Sequence, residues 1–351
     1  MKKATFVLSI VCVASVLVFL AACSSKPSAV KAGEVNLFIW TEYMPQAVLD
    51  AFEKETGIKV NILMYSSNED MLAKIKNSNK GAYDIAVPSD FMIERMIKEG
   101  LLTKIDKSKI PNLNNIDPVY MNRFYDPKSE YGVPFMAGLA ALIINKTKVS
   151  EKITSFNQVF APKYKKQLVI LNDYRVLIGA VSMALGYKLD PTAEQLRNVD
   201  IKLQALKPNI KLRDSDSPKT AMLNGETAIG LIWNAEIAIA MQESDDFEVV
   251  FPDEGCYLFI DNMVLLDGAK NIDNAHKFIE FILRPEISKM ISEEYPYTNP
   301  NKAAIAILPA SYKNNPASNV PAEVIKKGQF PSEVGAKRLE QYDAMWTKFI
   351  K

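Results

Sequence analysis

Four carboxylates stand where a protein of alternating strands and helices places its ligand-binding groups. Glu42, Asp173 and Glu236 each follow a short apolar run that predicts a β-strand, and Asp261 lies within an apolar stretch. Ligand sites of open α/β sheets form at the carboxyl ends of strands. Three of the four acids precede or open a predicted helix, whose N-terminal dipole favours an ionised carboxylate. We therefore expect the acids to form a site that keeps its negative charge.

Each of these acids also has a plainer interpretation. Glu42 and Asp173 could be ordinary turn or cap residues, and Glu236 could equally stabilise the N-terminus of its own helix. Asp261 has apolar neighbours on both sides, which indicates a partly buried acid. Such an acid needs a partner, and a functional role is favoured for Asp261.

The composition argues against several classes of enzyme and binding protein. The 351 residues include 42 Lys+Arg and 41 Asp+Glu, for a formal net charge of +1, so no basic field exists to hold nucleic acid. The single histidine, His276, cannot form a His-rich zinc site, and a packed or solvated role is expected for it. The glycine patterns of phosphate loops and dinucleotide-binding turns are absent from the sequence. We expect neither enzyme activity nor a cofactor nor a metal.

The N-terminus predicts export and lipid attachment. A positively charged start is followed by an apolar run that ends in Leu-Ala-Ala-Cys at Cys23, a pattern typical of a bacterial lipoprotein signal. Residues 1–22 are expected to be removed, Cys23 to carry the lipid, and residues 23–34 to form a flexible tether at a periplasmic or cell-surface membrane face. The alternative is an uncleaved membrane helix.

The cysteine count follows from this interpretation. Cys12 would leave with the signal and Cys23 would carry the lipid, so Cys256 would be the only thiol. An intramolecular disulfide is then excluded. Cys256 is expected to be a small buried hydrophobic residue.

Alternating apolar strands and amphipathic helices must position the four acids. A first helix is predicted to begin at Pro45, a second has Asn68 as its N-cap, and a third has Ser89 or Asp90 as its N-cap. A later helix is predicted over 273–283, and a new helix begins at Pro285. This alternation argues for parallel sheets, and it is interrupted by an extended segment at 131–135. Strands are predicted over 35–40, 58–64, 83–87, 139–145, 168–171, 228–233, 248–250 and 263–266.

Several segments, in this order and at this spacing, resemble the spermidine/putrescine-binding proteins of bacterial polyamine ABC transporters. The resemblance covers essentially the whole chain after residue 34. The matching segments are 38–43 (FIWTEY), 52–60 (FEKETGIKV), 81–89 (GAYDIAVPS), 104–109 (KIDKSK), 232–234 (IWN) and 281–285 (FILRP).

The resemblance implies the type II periplasmic binding protein fold. Two α/β lobes, each with a mostly parallel sheet flanked by helices, would enclose a ligand cleft, with crossovers near 134–138 and 257–261. It also implies a monomeric lipoprotein receptor that closes around a polyamine and delivers it to an ABC permease. The implied lobes are 35–135 plus 260–308, and 136–259 plus 309–351.

The resemblance also implies which side chains bind the ligand. A polyamine needs carboxylates for its ammonium groups and flat aromatic surfaces for its methylenes. Asp261 would hold one terminal ammonium, and Asp173 would face the remainder of the ligand. The implied site residues are Trp40, Thr41, Glu42, Tyr43, Ser89, Asp90, Phe91, Asp173, Trp233, Glu236, Phe259, Asp261 and Tyr295.

The sequence departs from the spermidine-binding pattern at several of these positions. Val176 stands where those members have a Glu, and Phe91 stands where they have a Tyr. Glu236, three residues after Trp233, resembles the Trp-x-x-Asp of putrescine-binding members, and we hypothesise that it replaces the acid missing at Val176. The preference between spermidine and putrescine stays open. The same fold binding another small solute, or a surface sensor or interaction lipoprotein, stays open as well.

Overall fold

The computed structural model describes residues 33–351. The predicted signal at 1–22, the lipid site at Cys23 and most of the tether lie outside the described residues. Within the described part of the chain, no helix combines the length and the apolar character that a membrane span requires.

The strands of the described chain form one mixed sheet. Its order is β2-β1-β3-β10-β5-β8-β6-β7, with β4 beside β10 and β9 beside β5. The predicted parallel pairing is found at both ends, where β1 pairs with β2 and β3, and β6 pairs with β7 and β8. The strands are β1 (Glu34–Trp40), β2 (Lys59–Tyr65), β3 (Ile85–Ala86), β4 (Leu102–Thr103), β5 (Gly132–Asn145), β6 (Leu168–Ile170), β7 (Ile210–Arg213), β8 (Ile229–Trp233), β9 (Phe247–Val250) and β10 (Tyr257–Leu266).

The two longest strands, β5 and β10, pair antiparallel in the middle of the sheet and run through the predicted crossovers. Asp261 stands opposite Met136 while Asn262 stands opposite Pro134, so Phe135 is an extra residue and forms a β-bulge. A proline without an amide hydrogen is tolerated at a bulge, and bulges redirect neighbouring side chains. The sheet is continuous through both crossovers, and the lobe boundaries stay a prediction.

Helices cover both faces of the sheet. The first one shows the predicted face of Val48, Leu49 and Phe52 buried, and Gly57 ends it at φ 69°. The prediction that Asn68 is an N-cap is wrong, because the Ser67 hydroxyl accepts the amide of Asp70 instead. The helices are Gln46–Thr56, Asn68–Asn77, Asp90–Lys98, Tyr174–Ala184, Leu196–Leu206, Lys219–Leu223, Asn234–Glu243, Ile272–Ile282, Pro285–Glu294, Lys302–Ile307, Ala310–Lys313, Ala322–Lys327 and Ala336–Ile350.

His276 and Cys256 have structural surroundings, as the sequence predicted. Both side chains are buried. The Nε2 atom of His276 accepts the amide hydrogen of Asp106 at 3.0 Å, and Nδ1 lies 2.8 Å from the carbonyl oxygen of Ile272. Both ring nitrogens are therefore occupied by backbone groups. Burial raises the pKa of the Cys256 thiol to about 12, which keeps it protonated and unreactive.

Candidate functional site

A cleft of about 760 Å³ opens beside the carboxyl ends of β1, β6 and β8. β1 ends at Trp40, β8 ends at Trp233, and Asp173 lies just after β6. This is the position at which α/β sheets form ligand sites. The predicted site residues that line the cleft are Trp40, Thr41, Glu42, Tyr43, Ser89, Asp173, Trp233, Glu236, Phe259, Asp261 and Tyr295.

Asp90 and Phe91 are not brought to the surface of the cleft. Both are buried at the start of the helix Asp90–Lys98. The guanidinium carbon of Arg175 lies 4.2 Å from the centre of the Phe91 ring, and the Oδ1 atom of Asp90 accepts the Phe91 amide hydrogen at 2.7 Å. Burial raises the pKa of Asp90 well above its ordinary range. Ligand contact by this pair stays a prediction.

The cleft also includes residues that the sequence did not single out. Ser66 and Asn68 follow β2 as Glu42 follows β1, so the rule of strand ends could have found them. Tyr257 and Tyr297 reach the cleft only through the tertiary fold, and no motif marks them. The lining residues that were missed are Ser66, Asn68, Ser215, Asp216, Ala235, Ile239, Tyr257 and Tyr297.

Four aromatic rings form a continuous row along the cleft. The ring centres of Trp233 and Phe259 are 5.3 Å apart, and those of Phe259 and Tyr297 are 5.9 Å apart. Tyr43 continues the row at 5.2 Å from Tyr297. Such a row offers apolar surface to methylene groups and negative ring faces to cations, each worth about 0.5–2 kcal/mol.

At the Tyr43 end of the row, Asp261 presents a carboxylate that is only partly satisfied. The residue is 2% exposed, and its Oδ2 atom accepts the Tyr43 hydroxyl at 2.6 Å. Its Oδ1 atom is buried without a hydrogen-bond partner. Burial raises the pKa of Asp261 to about 7, although hydrogen bonding from Tyr43 and from the nearby Ser89 side chain lowers it. A buried acceptor without a partner costs about 1–3 kcal/mol, so Asp261 favours a donor from a ligand.

Glu236, another acid that lines the cleft, is already paired with a cation of the protein. Glu236 lies in the first turn of the helix Asn234–Glu243, and the Nζ atom of Lys219 is 3.0 Å from each of its carboxylate oxygens. Burial raises the pKa of Glu236, and the attraction of Lys219 opposes this rise. The Oε2 atom of Glu42 lies 3.7 Å from the same ammonium.

Asp173 is both an N-cap and a lining residue. Its Oδ1 atom accepts the amide hydrogens of Arg175 and Val176 at 2.9 and 3.1 Å, which caps the helix Tyr174–Ala184. Burial nevertheless raises the pKa of Asp173 to about 6. The desolvation of Asp173 and Asp261 therefore opposes the helix dipole that favours ionised carboxylates in this site, and the expectation that the site keeps its negative charge stays a prediction.

Hydrogen bonds across the cleft join the two chain segments that surround it. The Thr41 hydroxyl donates to the Oδ1 atom of Asp216 at 3.0 Å, and the Tyr174 hydroxyl donates to Oε1 of Glu69 at 2.7 Å. The indole N–H of Trp40 donates to the carbonyl of Val87 at 2.8 Å, which leaves only its ring face for a ligand. Among the described residues, no cluster of His, Cys, Asp and Glu side chains is arranged to hold a metal ion.

Comparison with known proteins identifies relatives along most of the chain. The family profile described as bacterial extracellular solute-binding protein matches residues 47–321. The spermidine/putrescine-binding periplasmic protein of Escherichia coli (strain K12) is 38% identical over 299 residues, covering 85% of this chain and 86% of the relative. The resemblance predicted from the sequence motifs is therefore confirmed.

Solved structures show the same architecture. A putative spermidine/putrescine ABC transporter protein from Listeria monocytogenes superposes with a TM-score of 0.87 at 32% identity, over 91% of this chain and 99% of that chain. The Tp0655 (TpPotD) lipoprotein of Treponema pallidum superposes with a TM-score of 0.81 at 27% identity, over 90% and 99%.

Proposed function

Because the chain belongs to the bacterial extracellular solute-binding proteins and shares their two-lobed α/β fold, we propose that its cleft binds polyamines. The ligand is a flexible methylene chain that bears ammonium groups, such as putrescine or spermidine. Relatives named for spermidine and putrescine binding support this ligand class. In this function the protein captures a solute and carries out no covalent chemistry.

The unpartnered Oδ1 atom of Asp261 carries the proposal. It lies at one end of an aromatic row that begins at Tyr43, so an ammonium bound there would extend its methylenes along the rings. Pairing a buried carboxylate with a hydrogen-bonding cation offsets the desolvation of both charges. An anionic ligand would instead meet the carboxylates of Asp173, Glu236 and Asp261.

Capture would proceed by closure of the cleft and be followed by delivery to a membrane permease. Closing a cleft between two lobes requires contacts that exist only in the closed arrangement. The bonds from Thr41 to Asp216 and from Tyr174 to Glu69 are the proposed closing contacts, because each would join the two proposed lobes. The lobe boundaries 35–135 plus 260–308 and 136–259 plus 309–351 are part of this proposal.

Isothermal titration calorimetry on the full chain, stripped of co-purified ligand, tests the proposed ligand class. Putrescine, cadaverine, spermidine and spermine are titrated beside a neutral amino acid and a dicarboxylate. We expect one-to-one binding of at least one polyamine and no heat from the two controls. Absence of binding by all four polyamines would contradict the proposal.

Lipid anchoring at Cys23 is proposed on the sequence motif and on the fold shared with a relative described as a lipoprotein. The Cys23→Ala variant removes the thioether site and leaves the folded body unchanged. In a bacterial host we expect the parent chain to incorporate labelled palmitate and to fractionate with membranes, and the variant to do neither. Equal labelling of both chains would exclude Cys23 as the lipid site.

A further inference from the structure

The acids that line the cleft are partly paired with a cation that belongs to the protein itself. The Nζ atom of Lys219 lies 3.0 Å from both carboxylate oxygens of Glu236 and 3.7 Å from the Oε2 atom of Glu42. It also donates to the Ser217 hydroxyl at 3.1 Å. Glu42 and Glu236 both line the cleft, so the ammonium neutralises acids that a ligand cation would otherwise meet.

The contact between Lys219 and Glu236 is shielded from solvent. The Lys219 side chain is 16% exposed and the Glu236 side chain is 6% exposed, and partly buried pairs are screened by salt much less than surface pairs. The backbone amide of Lys219 also approaches Oε2 of Glu236, at 3.4 Å. The geometry therefore fixes the ammonium beside the carboxylate.

The acids that line the cleft consequently differ in how far a cation of the protein neutralises them. Glu42 and Glu236 would contribute two negative charges, and Lys219 reduces their sum to a single negative charge. Asp261, which accepts a hydrogen bond from Tyr43, has no cationic partner among the described residues, and its Oδ1 atom has no hydrogen-bond partner. Asp261 thus lacks a cation, whereas Glu42 and Glu236 are partly neutralised by Lys219 before a ligand binds.

This asymmetry affects polyamines according to their number of amines. A diamine can place one ammonium at Asp261 and the other along the aromatic row or against the remaining charge. A triamine or tetraamine must place further ammonium groups in the cleft whose acids Lys219 partly neutralises, and like charges that come close in a partly buried site repel strongly. Each added amine therefore contributes less binding free energy than it would if Glu236 were unpaired.

On the basis of the proposed polyamine binding, we propose that Lys219 is a specificity-determining residue that disfavours polyamines with more than two amines. Its ammonium group pairs with the Glu236 carboxylate, which is then less available to an ammonium group of the ligand. The sequence hypothesis that Glu236 replaces the acid missing at Val176 is thereby refined, because the charge of Glu236 becomes available only when Lys219 is removed.

The Lys219→Met variant tests this role, because it removes the charge and keeps a side chain of similar length. We expect the ratio of spermidine to putrescine affinity, measured by calorimetry, to rise by roughly tenfold or more. Lys211→Met is the matched control, since Lys211 lies on β7 with its Nζ 3.8 Å from Glu226, and its ratio should equal that of the parent chain. Lys219→Gln is the second variant if the first one fails to fold in a melting assay.

The double variant Lys219→Met/Glu236→Gln distinguishes charge from packing. We expect its affinity ratio to return toward the parent value, because both charges of the pair are removed. An unchanged or lower ratio in folded Lys219→Met and Lys219→Gln would overturn the role of Lys219 while leaving polyamine binding intact. If the parent chain bound no polyamine, the proposed function and the role of Lys219 would both be overturned.

Discussion

At the scale of single residues, the carboxyl group of Asp261 is the main candidate for binding a ligand ammonium. One of its oxygens is held by Tyr43, and the other is buried without a partner. The acids that line the cleft beside it are either engaged as a helix cap, as in Asp173, or paired with a cation, as in Glu236. We therefore expect Asp261 to dominate the recognition of one ammonium group.

The Asp261→Asn variant tests this dominance with little change in shape. The amide oxygen can still accept the Tyr43 hydroxyl, but the charge is lost. We expect polyamine affinity to fall by about 2–5 kcal/mol, which is roughly thirtyfold or more. The control is Asp245→Asn on an exposed loop, which should bind like the parent chain in the same titration. Parent-like affinity in Asp261→Asn would remove Asp261 from the site.

The raised pKa values of Asp173 and Asp261, about 6 and about 7, predict that binding depends on pH. An ammonium group requires the ionised carboxylate, so affinity should rise as the pH rises from 5.5 to 8, and protons should be released on binding near neutral pH. Calorimetry in buffers of different ionisation enthalpy measures this release. An affinity independent of pH over this range would contradict the assigned acids.

The raised pKa values of Asp173 and Asp261 make the ligand-free chain less stable as the pH rises, whereas ligand binding becomes stronger. Each folded-state pKa lies above the ordinary aspartate value of about 3.9. The stabilisation from these protonated acids is therefore complete at pH values below the unfolded pKa and is lost as the pH rises through the folded pKa. Ligand-induced increases in melting temperature should accordingly be larger at pH 8 than at pH 5.5.

Strand ends and the family resemblance together predicted most of the cleft, the strand ends indicating the acids and the resemblance the aromatic residues. Trp40, Glu42, Asp173 and Trp233 lie at or just after strand ends, and that position is visible in the sequence. Lys219 could not be assigned in the same way, because it meets Glu236 only after its short helix folds against the helix Asn234–Glu243. The sequence also did not predict the pKa values of these acids, because their burial depends on the whole fold.

At the scale of secondary-structure elements, Asp173 both caps the helix Tyr174–Ala184 and lines the cleft. Asparagine caps helices about as well as aspartate does, whereas alanine costs about 1 kcal/mol. We expect Asp173→Asn to melt like the parent chain but to bind polyamine more weakly, and Asp173→Ala to be impaired in both properties. Calorimetry measures the binding and thermal melting measures the stability of both variants. If both variants bound polyamine like the parent chain, Asp173 would be a helix cap without a role in ligand binding.

The sequence predicted most elements correctly, but it divided β5 and β10 into shorter strands. Residues 131–135 were predicted as an extended segment separate from the strand 139–145, and the last strand was predicted to begin only at 263, whereas the structure continues both strands past a bulge at Phe135. The bulge could not be foreseen because it depends on the partner strand. The N-cap at Ser67 was missed for a local reason, since Ser67 and Asn68 are both good cap residues.

At the scale of the whole molecule, closure of the cleft depends on bonds between segments that are far apart in the chain. Tyr174 and Glu69 are separated by 105 positions, yet their side chains lie 2.7 Å apart. Bonds of this kind favour the closed arrangement and therefore slow ligand release, provided that they are absent when the cleft is open.

The Tyr174→Phe variant removes this bond and preserves the ring. We expect polyamine to dissociate faster, with a loss of affinity of about 0.5–1.5 kcal/mol, while the association rate changes little. Stopped-flow fluorescence of Trp40 and Trp233, which line the cleft, follows both rates. Tyr187→Phe loses a hydroxyl bonded to Asn198 outside the cleft and serves as control. An unchanged dissociation rate would exclude the bond as a closing contact.

The most direct test of polyamine binding is a crystal structure of the chain with a bound polyamine. We predict a ligand nitrogen within hydrogen-bonding distance of the Oδ1 atom of Asp261, with the methylene chain lying along Tyr43, Tyr297, Phe259 and Trp233. A ligand bound elsewhere, or a cleft in which Oδ1 of Asp261 still has no cationic partner, would contradict the account.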